Sequence, residues 1–106
     1  MAKYLLEVSY TLDGIRGLKA EGGSARRKAA EDAVKSLGGT VESFYFAFGG
    51  ADVYLVADMP GQVDAAAVSL AVCAGGGART KTVVLLTAEE MDQAAKRNVG
   101  YRPPGG

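Results

Sequence analysis

An α+β fold, with one four-stranded antiparallel sheet covered by helices on a single face, is what this sequence predicts, and three observations carry the prediction. Four stretches, near residues 3–10, 41–48, 51–57 and 79–86, are rich in aromatic and β-branched residues and alternate in polarity as strands do. Alanine-rich segments with helical spacing separate the first strand from the second and the third from the fourth. The two middle strands are parted only by Gly49-Gly50, the signature of a hairpin.

The first strand places Tyr4, Leu6, Val8 and Tyr10 on one side and Lys3, Leu5, Glu7 and Ser9 on the other. Asp13-Gly14 stops it, and Ile15, Leu18 and Lys19 suggest a short helical turn interrupted at Gly22-Gly23. Ser24 is the expected cap of a longer helix to about Leu37, with an inward stripe of Ala29, Ala30, Ala33, Val34 and Leu37 and a left-handed end at Gly38-Gly39. Gly49-Gly50 is expected to adopt the positive backbone dihedrals of a tight turn, with Asp52 hydrogen-bonding back across it. Asp58-Met59-Pro60-Gly61 ends the third strand and opens a helix whose expected apolar face is Val63, Ala66, Ala67, Leu70, Ala71 and Ala74. Gly75-Gly76-Gly77 closes that helix, and the fourth strand follows. Thr87-Ala88-Glu89-Glu90 is a capping box that starts a last helix to about Arg97, and residues 98–106, ending in Pro103-Pro104, form an extended tail.

This order of elements describes one ferredoxin-like domain over residues 1–106, and right-handed crossovers put its strands in the order 4-1-3-2. Strand parity then assigns Leu6, Val8, Phe44, Phe46, Phe48, Val53 and Leu55 to the helices. The open face receives Leu5, Glu7, Ser9, Val41, Ser43, Tyr45, Ala47, Asp52, Tyr54 and Val56. Such a face covers roughly 400 Å² and is too apolar to stay wet, so two copies are expected to pack sheet to sheet as a homodimer.

Composition narrows the function classes. Basic and acidic residues number 12 each, so the formal charge is zero, which argues against nucleic acid and anionic membranes as partners. With one cysteine, Cys73, and no histidine, zinc sites, paired-cysteine redox chemistry and histidine triads are excluded within one chain, and no cofactor is expected. Neither a leader segment nor a membrane span is read from the sequence, and the expected location is the cytoplasm. Cys73, Met59 and Met91 read as core residues. The tail is expected to fold over its own domain or a partner, with Tyr101 as anchor.

Particular residues resemble a known family. The run Phe44-Tyr45-Phe46-Ala47-Phe48-Gly49 with Asp52-Val53-Tyr54, Gly22-Gly23 with Arg26, Arg79-Thr80 before Leu85-Leu86-Thr87, and the ending Tyr101-Arg102-Pro103-Pro104 resemble the GYD-domain family over nearly the whole chain. The resemblance implies a dimeric α/β barrel paired through sheet faces and implies no particular activity. The name-giving Gly-Tyr-Asp stands here as Gly50-Ala51-Asp52.

Two sites are expected. One holds a small hydrophobic or aromatic molecule between helices and sheet or between two sheets, with Tyr45 and Tyr54 as walls, Ser9 nearby, and Glu7 or Asp52 as proton acceptor. Its bland counterpart makes the tyrosines interface packing, pairs Glu7 with a cation across the dimer and leaves Asp52 to fix the turn. The second is an anion site of Gly23, Ser24 and Arg26. Arg26, Arg27 and Lys28 sit unfavourably in a first helical turn, although Glu21 and Glu31 can neutralise them. The aromatic run also resembles an RNA-stacking platform, which the zero net charge argues against. The expected function is therefore a homodimeric binding or accessory module. A cofactor-independent enzyme, monooxygenase-like or isomerase-like, acting on a small hydrophobic substrate is the alternative.

Overall fold

The computed structural model describes all 106 residues. Its elements are β1 (Ala2–Tyr10), α1 (Leu12–Glu21), α2 (Gly23–Ser36), β2 (Thr40–Phe46), β3 (Val53–Met59), α3 (Gln62–Ala74), β4 (Ala78–Leu85) and α4 (Ala88–Ala95). The strands form one antiparallel sheet in the order β2-β3-β1-β4, which read from the β4 edge is 4-1-3-2.

Every second residue of β1 and β3 points at the helices and is buried: Tyr4, Leu6 and Val8 from β1, and Val53, Leu55, Ala57 and Met59 from β3. Val34 of α2 and Ala65 and Val68 of α3 close this core from above. α2 lies mainly across β2 and α3 mainly across β4, so neither helix sits squarely over the two central strands.

Local chemistry sets the helix ends. Thr11 caps α1 by accepting a hydrogen bond from the Gly14 N–H, and its own hydroxyl donates to the Gly76 carbonyl at 2.9 Å. Gly22, at φ 89°, lets the chain turn from α1 directly into α2. α2 ends in a Schellman motif in which Gly38 (φ 82°) donates to the Lys35 carbonyl and Gly39 to the Val34 carbonyl, each at 3.0 Å. The capping box of α4 is formed, with Glu90 N–H on the Thr87 hydroxyl at 3.1 Å and Thr87 N–H on the Glu90 carboxylate at 2.9 Å.

Several expectations are corrected. The segment expected as a short turn is the ten-residue helix α1; its glycines hide a helical pattern that Thr11 starts. α2 begins at Gly23 with no side-chain cap, so Ser24 lies inside the helix. Gly49 and Gly50 have no positive φ, because the connection is wider than a two-residue turn, with Ala47 N–H reaching the Asp52 carbonyl at 2.9 Å. Phe48 therefore leaves the strand parity and stands fully exposed at the tip. A bulge at Glu42 shifts the register, turning Val41 to the helix side opposite Ala57, away from the open face.

α3 is also rotated from the expected face. Its residues are nearly all apolar, so spacing does not choose a side; Ala65 and Val68 are buried, whereas Val63 and Leu70 are exposed. Cys73 is consequently exposed, its sulfur 3.7 Å from the Thr80 hydroxyl at the β4 edge. Met91 is exposed too, since nothing in α4 is buried. The last helix ends at Ala95 and the tail beyond it touches no core. The molecule is accordingly drawn out to 57 Å, with a radius of gyration of 16.8 Å against about 13 Å for a compact chain of this length.

Two glycines are required by space. A Cβ on Gly14 would lie 1.9 Å from the Gly77 carbonyl oxygen, and one on Gly39 would lie 2.6 Å from the Asp58 carbonyl oxygen, whereas one on Gly50 meets nothing. Gly14→Ala and Gly39→Ala are each expected to cost about 1–3 kcal/mol, lowering Tm by several degrees, while Gly50→Ala leaves it unchanged. Thermal melts followed by circular dichroism check this.

Candidate functional site

The sheet presents two different surfaces, and the expected site residues divide between them. On the open face the register aligns side chains in rows across all four strands. Tyr45, Tyr54, Glu7 and Lys81 form one row, and Ser43, Val56, Leu5 and Val83 the next. A third row, Asp58, Lys3 and Leu85, is tied to the bulge of β2, because the Lys3 ammonium reaches Glu42 and Asp58 at 3.0 Å each. Those two carboxylates raise the Lys3 pKa. An apolar band thus crosses the sheet between two polar rows. Tyr45 is largely exposed, and Glu7 stands opposite Lys81, a cation of its own sheet.

Ser9 faces Arg79 beyond these rows. Asp52 is engaged in structure: its carboxylate accepts the Tyr10 N–H at 2.8 Å and its own N–H donates to the Val8 carbonyl at 2.8 Å. Its carboxylate thus holds the end of β1, while its carbonyl bonds back across the hairpin connection by accepting the Ala47 N–H at 2.9 Å.

The expected anion residues are not gathered in one place. Gly23 packs against the Phe46 ring, which a Cβ there would strike at 2.8 Å, and Phe46 meets Phe44 edge to face at 5.3 Å. A shallow hollow beside them takes in Gly23, Ser24 and Arg27. Arg26 turns the other way, toward Glu21 at 3.4 Å. Arg27 and Lys28 pair along the helix with Glu31 and Asp32.

Arg26 instead reaches an apolar cleft beneath the helices. Because α2 and α3 sit toward opposite edges of the sheet, a cleft of about 260 Å³ opens between them over the central strands. Its walls are Ala29, Ala30, Ala33 and Val34 of α2 and Val68, Ala71 and Val72 of α3. Leu6, Val8, Val53, Leu55 and Phe44 floor it. The small side chains that bring helices close to a sheet also leave this space unfilled. Its polar groups are Arg26, the Tyr10 hydroxyl and Thr80. Burial pushes the Tyr10 phenol above its ordinary pKa, and the adjacent Arg26 guanidinium pulls the other way without overcoming it.

Sequence reasoning placed Tyr10 on the helix face and gave it no role. The signal was available in its parity with Leu6 and Val8. What parity could not supply was the gap above it. No three of the chain's cysteine and carboxylate side chains cluster as a metal would need.

A protonated Tyr10 stabilises the fold fully below the unfolded tyrosine pKa, and that contribution is lost as pH rises through the higher folded value. Urea unfolding of the wild type and Tyr10→Phe is therefore expected to run parallel at neutral pH and to diverge above about pH 10, the wild type falling faster. Parallel curves throughout contradict the buried phenol.

Comparison with known proteins gives one result. No curated protein and no solved structure matches the chain. A model of the GYD domain matches residues 4–95. That span runs from the third residue of β1 through the end of α4, and the chain belongs to the GYD-domain family.

Proposed function

We propose that this chain is a homodimeric module that binds a small, largely apolar molecule in the cleft between α2 and α3. The cleft itself carries the reading: a preformed concave space with apolar walls and a few polar groups at one end is the usual form of a small-molecule site. Its polar groups are one cation, one phenol held protonated and one hydroxyl, with no carboxylate among them. That set positions a ligand by donating hydrogen bonds, and it favours binding over a proton-abstracting enzyme.

The open face supports the dimer. The accessible surface is 7371 Å², against about 5,600 Å² for a compact 10.9 kDa monomer. The excess, on the order of 1,800 Å², is more than the ~800 Å² each partner contributes to a standard interface. Leu5, Val56 and Val83 supply an apolar centre, with Tyr45 and Tyr54 beside it. A two-fold pairing brings the Tyr45–Glu7 row of one copy against the sheet of the other, where the tyrosines are interface residues. α4 and the tail, none of whose residues is buried, are the natural arm to close over the partner, with Met91, Val99 and Tyr101 as its exposed anchors.

Light scattering after gel filtration, paired with native mass spectrometry, tests this. The wild type is expected to run as a dimer at micromolar concentration, and Leu5→Arg with Val56→Arg as a folded monomer. A monomeric wild type contradicts the sheet-to-sheet interface.

A further inference from the structure

We infer that the cleft takes an amphipathic monoanion: a small carboxylic acid whose hydrocarbon part lies against the alanines of α2 and whose carboxylate is held by the Arg26 guanidinium and the Tyr10 hydroxyl. This rests on the small-molecule reading above and adds the chemistry of the head group.

Position is the first support. A second hollow, lined by Asp13, Gly17 and Glu21 among others, adjoins the apolar cleft, and both are bounded by Tyr10 and Arg26. The two groups thus stand where an apolar cleft meets a more polar hollow, as an amphipathic ligand requires. Charge is the second. Arg26 is the one charged residue lining the cleft, and it occupies the first turn of α2, where a cation opposes the helix dipole and is unfavourable without a partner.

Its partner in the chain is weak. Arg26 reaches Glu21 through one contact of 3.4 Å, longer than the roughly 2.7–2.9 Å of a good charge-assisted bond. The planar guanidinium has donors to spare for a carboxylate in the bidentate arrangement. Tyr10, protonated at neutral pH as a tyrosine ordinarily is, adds an O–H donor beside Arg26.

Two consequences separate this from a generic greasy pocket. The head group competes with Glu21 for Arg26, so removing the Glu21 charge should strengthen binding. A neutral ligand of the same length should be insensitive to either residue.

Isothermal titration of the full chain with sodium octanoate and with 1-octanol tests both. Octanoate is expected to bind about tenfold more tightly than octanol, a difference of about 1.4 kcal/mol. Arg26→Gln should abolish the preference, Glu21→Gln should tighten octanoate alone, and Ala33→Leu, which fills the cleft, should weaken both ligands. Arg26 and Glu21 are half-exposed on helix surfaces, so their variants fold. Equal binding of the two ligands, or an octanoate affinity indifferent to Arg26→Gln, overturns the head-group assignment and leaves the cleft reading standing. Failure of both ligands to bind the wild type overturns the two together.

Discussion

The pairing of β1 with both β3 and β4 is the constraint on which everything else depends. Lys3 to Val8 of β1 are each matched on two sides, so the parity of β1 decides for the whole sheet which side chains meet helices and which do not. A slip of one residue would exchange Leu6 and Val8 for Leu5 and Glu7 and destroy the core. Asp52 secures one end of this arrangement by accepting the Tyr10 N–H, and Lys3 marks the other by joining Asp58 and Glu42. The Lys3 pairs are half-exposed and contribute little stability by themselves. They lie at the bulge of β2, where Val41 turns to the helix side.

From that parity follow two surfaces with opposite needs. The helix side has its cover but is covered incompletely, since alanine-rich helices set toward the sheet edges leave a cleft over the centre. The open side has no cover within the chain, and its apolar band of Leu5, Val56 and Val83 lies between rows of polar groups. A protein with only 13 buried residues in 106 has much apolar surface still to place. The proposed small molecule in one surface and the proposed second copy on the other would answer both.

The fold was largely legible because its signals are periodic and local. Alternation in β1 and β3, the alanine segments, the Gly38-Gly39 stop and the Thr87–Glu90 box each act within a few residues and agree with one another. The misreadings fall where periodicity carries no information. In α3 almost every residue is apolar, so its inward face was set by packing against β4, where Ser69 meets Thr82 at 2.9 Å. At Glu42 a single extra residue reverses the parity of what precedes it. Beyond Phe46 the ladder ends, and Phe48 is free of it. The candidate site was less legible still. Tyr45, Tyr54 and Glu7 do come together in one row, but Arg26 and Tyr10 meet beside a cleft that exists only once two helices have been placed, and no spacing in the sequence encodes a void.

The C-terminal segment shows the same incompleteness. A well-capped helix and a tail, neither with a buried residue, carry apolar side chains that the proposed second copy would cover. The single thiol, Cys73, lies exposed on the outer layer of α3 and offers a direct gauge of that assembly. With one spin label per chain, pulsed dipolar spectroscopy reads an intermolecular distance alone. If two sheets face each other about 10 Å apart, each backed by a helix layer about 10 Å thick, the labels should be separated by roughly 30 Å or more in one distribution. The absence of any dipolar distance, or one much shorter that places α3 at the contact, would contradict a dimer built on the open face of the sheet.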